Sequence, residues 1–165
     1  MEREGTEVIR ILLVDDVAKI RESLRALLAT DPHFDIVGEA CDGEEAVRAV
    51  VQLKPSVVVM DINMPRLNGI EATAWIRRTY PHVVVVGVSA IATDYTCQLM
   101  KAAGATTVIP KDAIEQLRHV ILESVGRGSE AIVPQCTAPL PSRGQKGAIR
   151  LRPLLFGQDS PPNSL

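Results

Sequence analysis

The sequence predicts an α/β protein in which a doubly wound, five-stranded parallel sheet is covered by helices on both faces. Five short apolar runs rich in Val and Ile have the length and composition of buried parallel strands. A segment with helical spacing or capping residues follows each run, and this alternation favours parallel pairing through helical crossovers. The predicted strands lie at residues 8–14, 35–40, 57–60, 83–88 and 106–109.

Turn-forming or polar residues bound these strands. The first strand contains the run Ile-Leu-Leu-Val, and the second is shorter. The third, Val-Val-Val-Met, lies between Pro55 and Asp61 and is too short for a buried helix. The fourth is a β-branched run interrupted only by Gly87, and the fifth is a brief run before Pro110.

The helices are predicted from apolar spacing and from their ends. Asp42 and Glu45 have the Asp-x-x-Glu spacing of a capping box, and Asp112 and Glu115 repeat it before the last helix. Gly104 follows the fourth helix as a left-handed cap. The predicted helices lie at about 17–30, where Asp31 and Pro32 stop the first, and at 43–53, 69–80, 94–103 and 112–126.

Composition limits the classes of function. The chain has 165 residues and a net charge of −2, which gives no electrostatic reason to expect nucleic acid or an anionic membrane as the main partner. Three widely spaced cysteines without metal-ligand spacing, a polar acidic N-terminus and the lack of a long apolar run favour the cytoplasm.

The functional signal lies at the carboxyl ends of the predicted strands. Because parallel strands end at one edge of a sheet, their polar end residues should converge, and ligands of open α/β sheets bind there. Three close carboxylates would repel one another, so a hard divalent cation such as Mg²⁺ is the expected remedy. The converging residues are Asp15, Asp16, Asp61, Ser89 and Lys111.

This set has the chemistry of phosphoryl transfer. With a metal ion held, Asp61 can act as a nucleophile toward phosphorus, while Ser89 and Lys111 stabilise charge on the transferred oxygens. A structural interpretation is also open, in which Asp15 and Asp16 cap the first helix, Asp61 only ends a strand, and Lys111 is a surface charge.

Four ordered motifs resemble the receiver domain of two-component response regulators. They are Leu-Val-Asp-Asp at 13–16, the segment 59–69, Val-Ser-Ala at 88–90, and Ala-Gly-Ala at 103–105 followed by Pro-Lys at 110–111. The segment 68–72 and the Lys-Asp pair at 111–112 are most similar to the NarL/FixJ-like subclass. The resemblance implies a flavodoxin-like, CheY-like fold with strand order 2-1-3-4-5 over residues 8–126.

The resemblance also assigns roles at the site. It implies that Asp61 accepts the phosphoryl group, and that Asp16, Asp61 and the backbone carbonyl of Asn63 bind Mg²⁺. Asp15 matches the acid that usually binds the ion through water. Ser89 and Lys111 match the hydroxyl and the lysine that contact the phosphoryl group.

The implied partners are a sensor histidine kinase or a phosphotransfer protein as phosphoryl donor, with a small phosphodonor as a substitute. A homodimer through the last two helices and the last strand is a further implied contact. Self-phosphorylation and slow self-dephosphorylation are the only activities expected, so we predict a regulator rather than an enzyme. One departure is Val108, which occupies the position of the family's usual aromatic switch residue.

The ends of the chain are not expected to add a folded domain. Residues 1–7 are predicted to be disordered, and residues 127–165 hold six of the eleven prolines, five basic residues and two acids. That composition is typical of a mostly disordered basic tail, and no output domain is recognisable in it. We therefore expect no direct DNA binding and no membrane contact.

Two alternative functions remain open. The chain could be a transcriptional regulator of the LuxR type whose DNA-binding half is truncated or replaced. It could also be a Mg²⁺-dependent aspartyl-phosphate phosphatase with Asp61 as nucleophile. Hydrolases resembling the haloacid dehalogenase family need a second acid two residues later, where this chain has Asn63.

Overall fold

The structure, a computed structural model, describes residues 8–127. Within this range, strands and α-helices alternate, and a 3-10 helix (Lys111–Gln116) precedes the last α-helix. The strands are β1 (Ile9–Val14), β2 (Phe34–Ala40), β3 (Val57–Asp61), β4 (Val84–Ser89) and β5 (Thr107–Pro110). The α-helices are α1 (Ala18–Leu28), α2 (Gly43–Leu53), α3 (Gly69–Thr79), α4 (Asp94–Ala102) and α5 (Leu117–Arg127).

The strands form one parallel sheet in the order β2-β1-β3-β4-β5, which confirms the predicted topology. Alternate residues of β3 enter two apolar cores on opposite faces of the sheet. Val57 and Val59 pack in the core that contains α1 and α5, whereas Val58 and Met60 pack in the core that contains α2, α3 and α4. Because helices cover both faces, the carboxyl edge of the sheet is the natural place for a site.

The start of the last helix differs from the prediction. No capping box forms at Asp112 and Glu115, because the chain from Lys111 first forms the 3-10 helix and has no side-chain cap. Ala113, with φ −115° and ψ 25°, interrupts helical geometry, so α5 begins only at Leu117.

The start of α2 agrees with half of its predicted capping box. The Oδ1 atom of Asp42 accepts a hydrogen bond from the backbone N–H of Glu45 at 2.8 Å, as an N-cap should. The carboxylate of Glu45 reaches one residue further back and accepts from the N–H of Cys41 at 2.9 Å. The predicted left-handed turn after α4 is present, since Gly104 has a φ of 108°.

The predicted disordered N-terminus at residues 1–7 lies outside the described residues. The same is true of the predicted tail at 127–165, except for Arg127 at the end of α5. In the described range, none of the helices combines the length and apolar character needed to cross a bilayer.

Candidate functional site

The pairing of β1 with β3 places two predicted site carboxylates side by side. Val14 pairs with Met60, and Asp15 and Asp61 are the next residues on the two strands. Their side chains are almost fully buried, whereas Asp16 is exposed. Carboxylate oxygens of the three acids all lie within 4.8 Å of one another. The structure therefore brings the three acids together at the carboxyl edge of the sheet.

Lys111 reaches the same carboxylates from beyond the end of β5. Its Nζ atom lies 2.5 Å from Oδ2 of Asp15 and 3.3 Å from Oδ1 of Asp61. Burial lowers the pKa of Lys111, but the hydrogen bond to Asp15 and the attraction of Asp61 outweigh it and hold the pKa above its usual value. Lys111 is therefore a charged partner of the acids rather than a solvated surface residue.

Asp15 is held by two hydrogen bonds in the turn that follows β1. Its Oδ1 atom accepts a hydrogen bond from the N–H of Val17 at 2.9 Å, and its backbone carbonyl accepts one from Arg21 at 2.7 Å. The N-cap position of α1 is Val17, which makes no side-chain cap. The alternative in which Asp15 or Asp16 caps α1 is therefore wrong, and the Oδ2 atom of Asp15 faces Lys111 at the site.

Asn63 follows Asp61 by two residues, and Ser89 ends the neighbouring strand β4, but the two residues differ in what they contact. The Ser89 hydroxyl is buried at the end of β4, where it accepts from the N–H of Ile91 at 3.2 Å and donates to the carbonyl of Ile91 at 3.0 Å. Asn63 is exposed, and its backbone N–H lowers the pKa of the Asp61 carboxyl. The roles predicted for Ser89 and for the Asn63 carbonyl thus stay predictions.

The electrostatics of Asp61 set it apart from an ordinary acid. Burial and the neighbouring Asp15 carboxylate together raise the pKa of Asp61 to about 6, although Lys111 and the N–H of Asn63 pull it down. One lysine therefore does not fully compensate the negative charge at this edge. A site with surplus buried negative charge is a good candidate for binding a cation.

We expect the stability of the metal-free protein to decrease as the pH rises from about 4 to about 6 through the titration of Asp61. The folded-state pKa lies above the ordinary value of 3.8, so the native state binds more protons than the unfolded state in that window. The effect is at most about 3 kcal/mol. Urea unfolding in EDTA across this pH range, compared between the parent and Asp61→Asn, isolates the contribution of Asp61. The other acids titrate in both proteins and cancel in the comparison. Equal pH slopes in the two proteins would contradict the expectation.

A salt bridge that was not predicted from the sequence joins the loop after β3 to the start of α2. Arg66, in the loop between β3 and α3, donates through Nη2 to Oδ2 of Asp42 at the start of α2. Arg66 adopts a left-handed backbone with a φ of 67°, which is unusual for a residue other than glycine. The spacing of residues 42 and 66 gave no signal for this pair, although the turn residues around Arg66 marked the loop.

The fold, together with the acids and the lysine at the carboxyl edge of the sheet, points to the class of protein to which the chain belongs. The family model for the response regulator receiver domain matches residues 11–122. The chain therefore belongs to the response regulator receiver domain family, and the resemblance seen in the four motifs is confirmed.

Individual proteins and solved structures show which kinds of receiver domain the chain is similar to. The chain is 43% identical over 106 residues to protein-glutamate methylesterase/protein-glutamine glutaminase 4 of Geobacter metallireducens, covering 63% of this chain but only 30% of that protein. Among solved structures, the response regulator domain of Thermotoga maritima CheB has a TM-score of 0.65 and 36% identity, covering 73% of this chain and 96% of that one. The receiver domain of NarL from Mycobacterium tuberculosis has a TM-score of 0.68 and 25% identity, covering 73% and 98%.

The names of these relatives contradict one prediction made from the sequence. We expected a regulator rather than an enzyme, but the Geobacter relative and others like it are named as methylesterases and glutaminases. The chain spans about a third of the length of these relatives. The expectation rested on the receiver motifs, and these say nothing about the activity of a domain to which a receiver can be joined.

Proposed function

We propose that this receiver accepts a phosphoryl group on Asp61 and thereby acts as the switch of a two-component phosphorelay. The observation that carries the proposal is the convergence of Asp15, Asp16 and Asp61, with Lys111 bound to two of the three acids. The family supplies the general role of a receiver, and the geometry supports the choice of the acceptor.

Mg²⁺ fits the residues at this edge. The carboxylates of Asp15, Asp16 and Asp61 and the backbone carbonyl of Asn63 would hold it, because hard oxygen donors with open positions for water suit this ion. The raised pKa of Asp61 supports this assignment, since burial and the nearby Asp15 carboxylate disfavour its charge by more than Lys111 compensates. When bound, the ion would lower the repulsion between the acids and the incoming phosphoryl oxygens.

The covalent step follows from the chemistry of Asp61. A carboxylate oxygen of Asp61 attacks phosphorus, an acyl phosphate bond forms, and the bond from phosphorus to the donor breaks, leaving the electron pair on the donor. Lys111, already 3.3 Å from Oδ1 of Asp61, is placed to pair with the transferred oxygens. The Ser89 hydroxyl would join it after giving up its contacts with Ile91.

The donor is proposed to be phosphohistidine on a sensor kinase or on a phosphotransfer protein. A homodimer through α4, β5 and α5, a cytoplasmic location and signalling without direct DNA contact belong to the same proposal. Intact-mass measurement after incubation with a small phosphodonor tests its chemistry. We expect a gain of one phosphoryl group that depends on Mg²⁺ and is absent in EDTA, whereas an unchanged mass with Mg²⁺ would contradict the proposal.

We further propose that this switch controls a protein-glutamate methylesterase. The support is the 43% identity to the Geobacter methylesterase and the 36% identity to the Thermotoga CheB receiver. Sequencing the transcript beyond the codon for Leu165, together with a methylesterase assay of the full product, tests this link. A downstream hydrolase domain would support it, whereas a downstream helix-turn-helix would favour a transcriptional regulator instead.

A further inference from the structure

The loop between β3 and α3 carries the backbone groups that complete the proposed site. It runs from Ile62 to Asn68 and contains Asn63, whose backbone N–H lowers the pKa of Asp61 and whose carbonyl is the proposed metal ligand. A small movement of this loop would displace both groups relative to the acids. The contacts that fix the loop therefore affect the geometry of the site.

The two ends of the loop are fixed by backbone contacts. Close to the sheet, the N–H of Gly69 donates to the carbonyl of Ile62 at 3.0 Å. Further along, the carbonyl of Leu67 accepts from the N–H of Gly43 at 3.1 Å, and a Cβ on Gly43 would lie only 2.4 Å from that oxygen. The loop thus packs directly on the first turn of α2.

Arg66 adds an ionic contact at the same junction. Its guanidinium binds Oδ2 of Asp42, which is 3% exposed, while Oδ1 of Asp42 caps α2 through the N–H of Glu45. One buried carboxylate therefore joins the helix start to the loop. Removal of the guanidinium would leave that buried charge without its cation.

The positive φ of Arg66 indicates that its side chain is needed at this position. Within residues 8–127, Lys54 and Arg66 are the non-glycine residues with positive φ, at 49° and 67°. Lys54 is the exposed C-cap of α2, where such a conformation is common. Arg66 lies in a loop where glycine would adopt the same backbone without strain, but glycine could not bind Asp42.

We propose that Arg66 is a positioning residue of the phosphorylation site, acting through its ion pair with Asp42. The pair holds the loop against the start of α2 and so fixes the backbone of Asn63 relative to Asp61, and Mg²⁺ affinity depends on it. This inference rests on the proposed function, because it assigns a role toward the same metal site.

Arg66→Gly provides the sharpest test, since it removes the guanidinium and relaxes the positive φ. Lys54→Gly is the matched control, with the same backbone relief at the far end of α2. We expect the Mg²⁺ dissociation constant, measured by calorimetry, to rise about tenfold in Arg66→Gly and to change less than about twofold in Lys54→Gly. Amide exchange at Asn63 in the metal-free protein should accelerate only in Arg66→Gly.

Two further variants separate positioning from a general loss of structure. Asp42→Asn keeps a capping oxygen but loses the charge, so it should weaken Mg²⁺ binding as Arg66→Gly does, and the double variant should add little. Arg66→Lys should recover part of the affinity. Parental Mg²⁺ affinity in Arg66→Gly would overturn this inference alone. A parent protein that binds no Mg²⁺ would overturn the proposed function, and this inference with it.

Discussion

Asp61→Asn is expected to abolish the phosphoryl adduct and, in the metal-free protein, to increase stability above pH 7. The amide cannot form an acyl phosphate, so the adduct is lost. It also removes a buried charge whose pKa is raised from 3.8 to about 6, and each unit corresponds to about 1.4 kcal/mol. We expect a gain of about 1–3 kcal/mol in the free energy of unfolding, measured with urea in EDTA.

Asp35→Asn is the matched control for this substitution. Asp35 is exposed and lies near the start of the edge strand β2, at the opposite end of the sheet from the site. It should keep the parental adduct and shift stability by less than about 0.5 kcal/mol. A phosphorylated Asp61→Asn protein, or one less stable than the parent at neutral pH, would contradict our description of Asp61.

Gly69→Ala is expected to cause the largest loss of stability, at least about 2–4 kcal/mol. Gly69 begins α3, and a Cβ there would lie 1.9 Å from the carbonyl oxygen of Asp61 and 2.9 Å from the Cα of Ile62. Both contacts are with backbone, which cannot rotate away. Relief of the clash must move the end of β3, so the Mg²⁺-dependent adduct should decrease as well.

Gly126→Ala serves as the comparison for Gly69→Ala. Gly126 lies in α5, and nothing approaches within 4 Å of a Cβ placed there. Alanine should therefore stabilise the helix by about 0.5–1 kcal/mol. Equal thermal unfolding temperatures for the two variants would contradict a clash between a Cβ at Gly69 and the backbone of Asp61.

Much of the fold and site could be predicted because both depend on local patterns. The apolar runs located all five strands to within about two residues, since buried parallel strands need continuous apolar sequence. The convergence of Asp15, Asp16 and Asp61 followed from topology alone, because parallel strands end at one edge.

The features that were missed depend on backbone angles and tertiary contacts. Nothing in the sequence around Arg66 reveals its positive φ, and its partner Asp42 is 24 residues away. The Asp-x-x-Glu pattern at Asp112 matched a capping box, but the 3-10 helix after β5 left no helix start there. The hydrogen bond from Ser89 to Ile91 also depends on the rotamer of Ser89, which the spacing of residues in the sequence does not determine.

Locating the phosphoryl group within the chain tests the central claim most directly. Borohydride reduction of the phosphorylated protein converts an acyl phosphate to an alcohol, and trypsin then releases residues 49–66, in which Asp61 is the single acidic residue. We predict that tandem mass spectrometry finds the reduced residue at Asp61 alone, and only when Mg²⁺ was present. Modification of Asp15, Asp16 or any other residue in place of Asp61 would contradict the assignment.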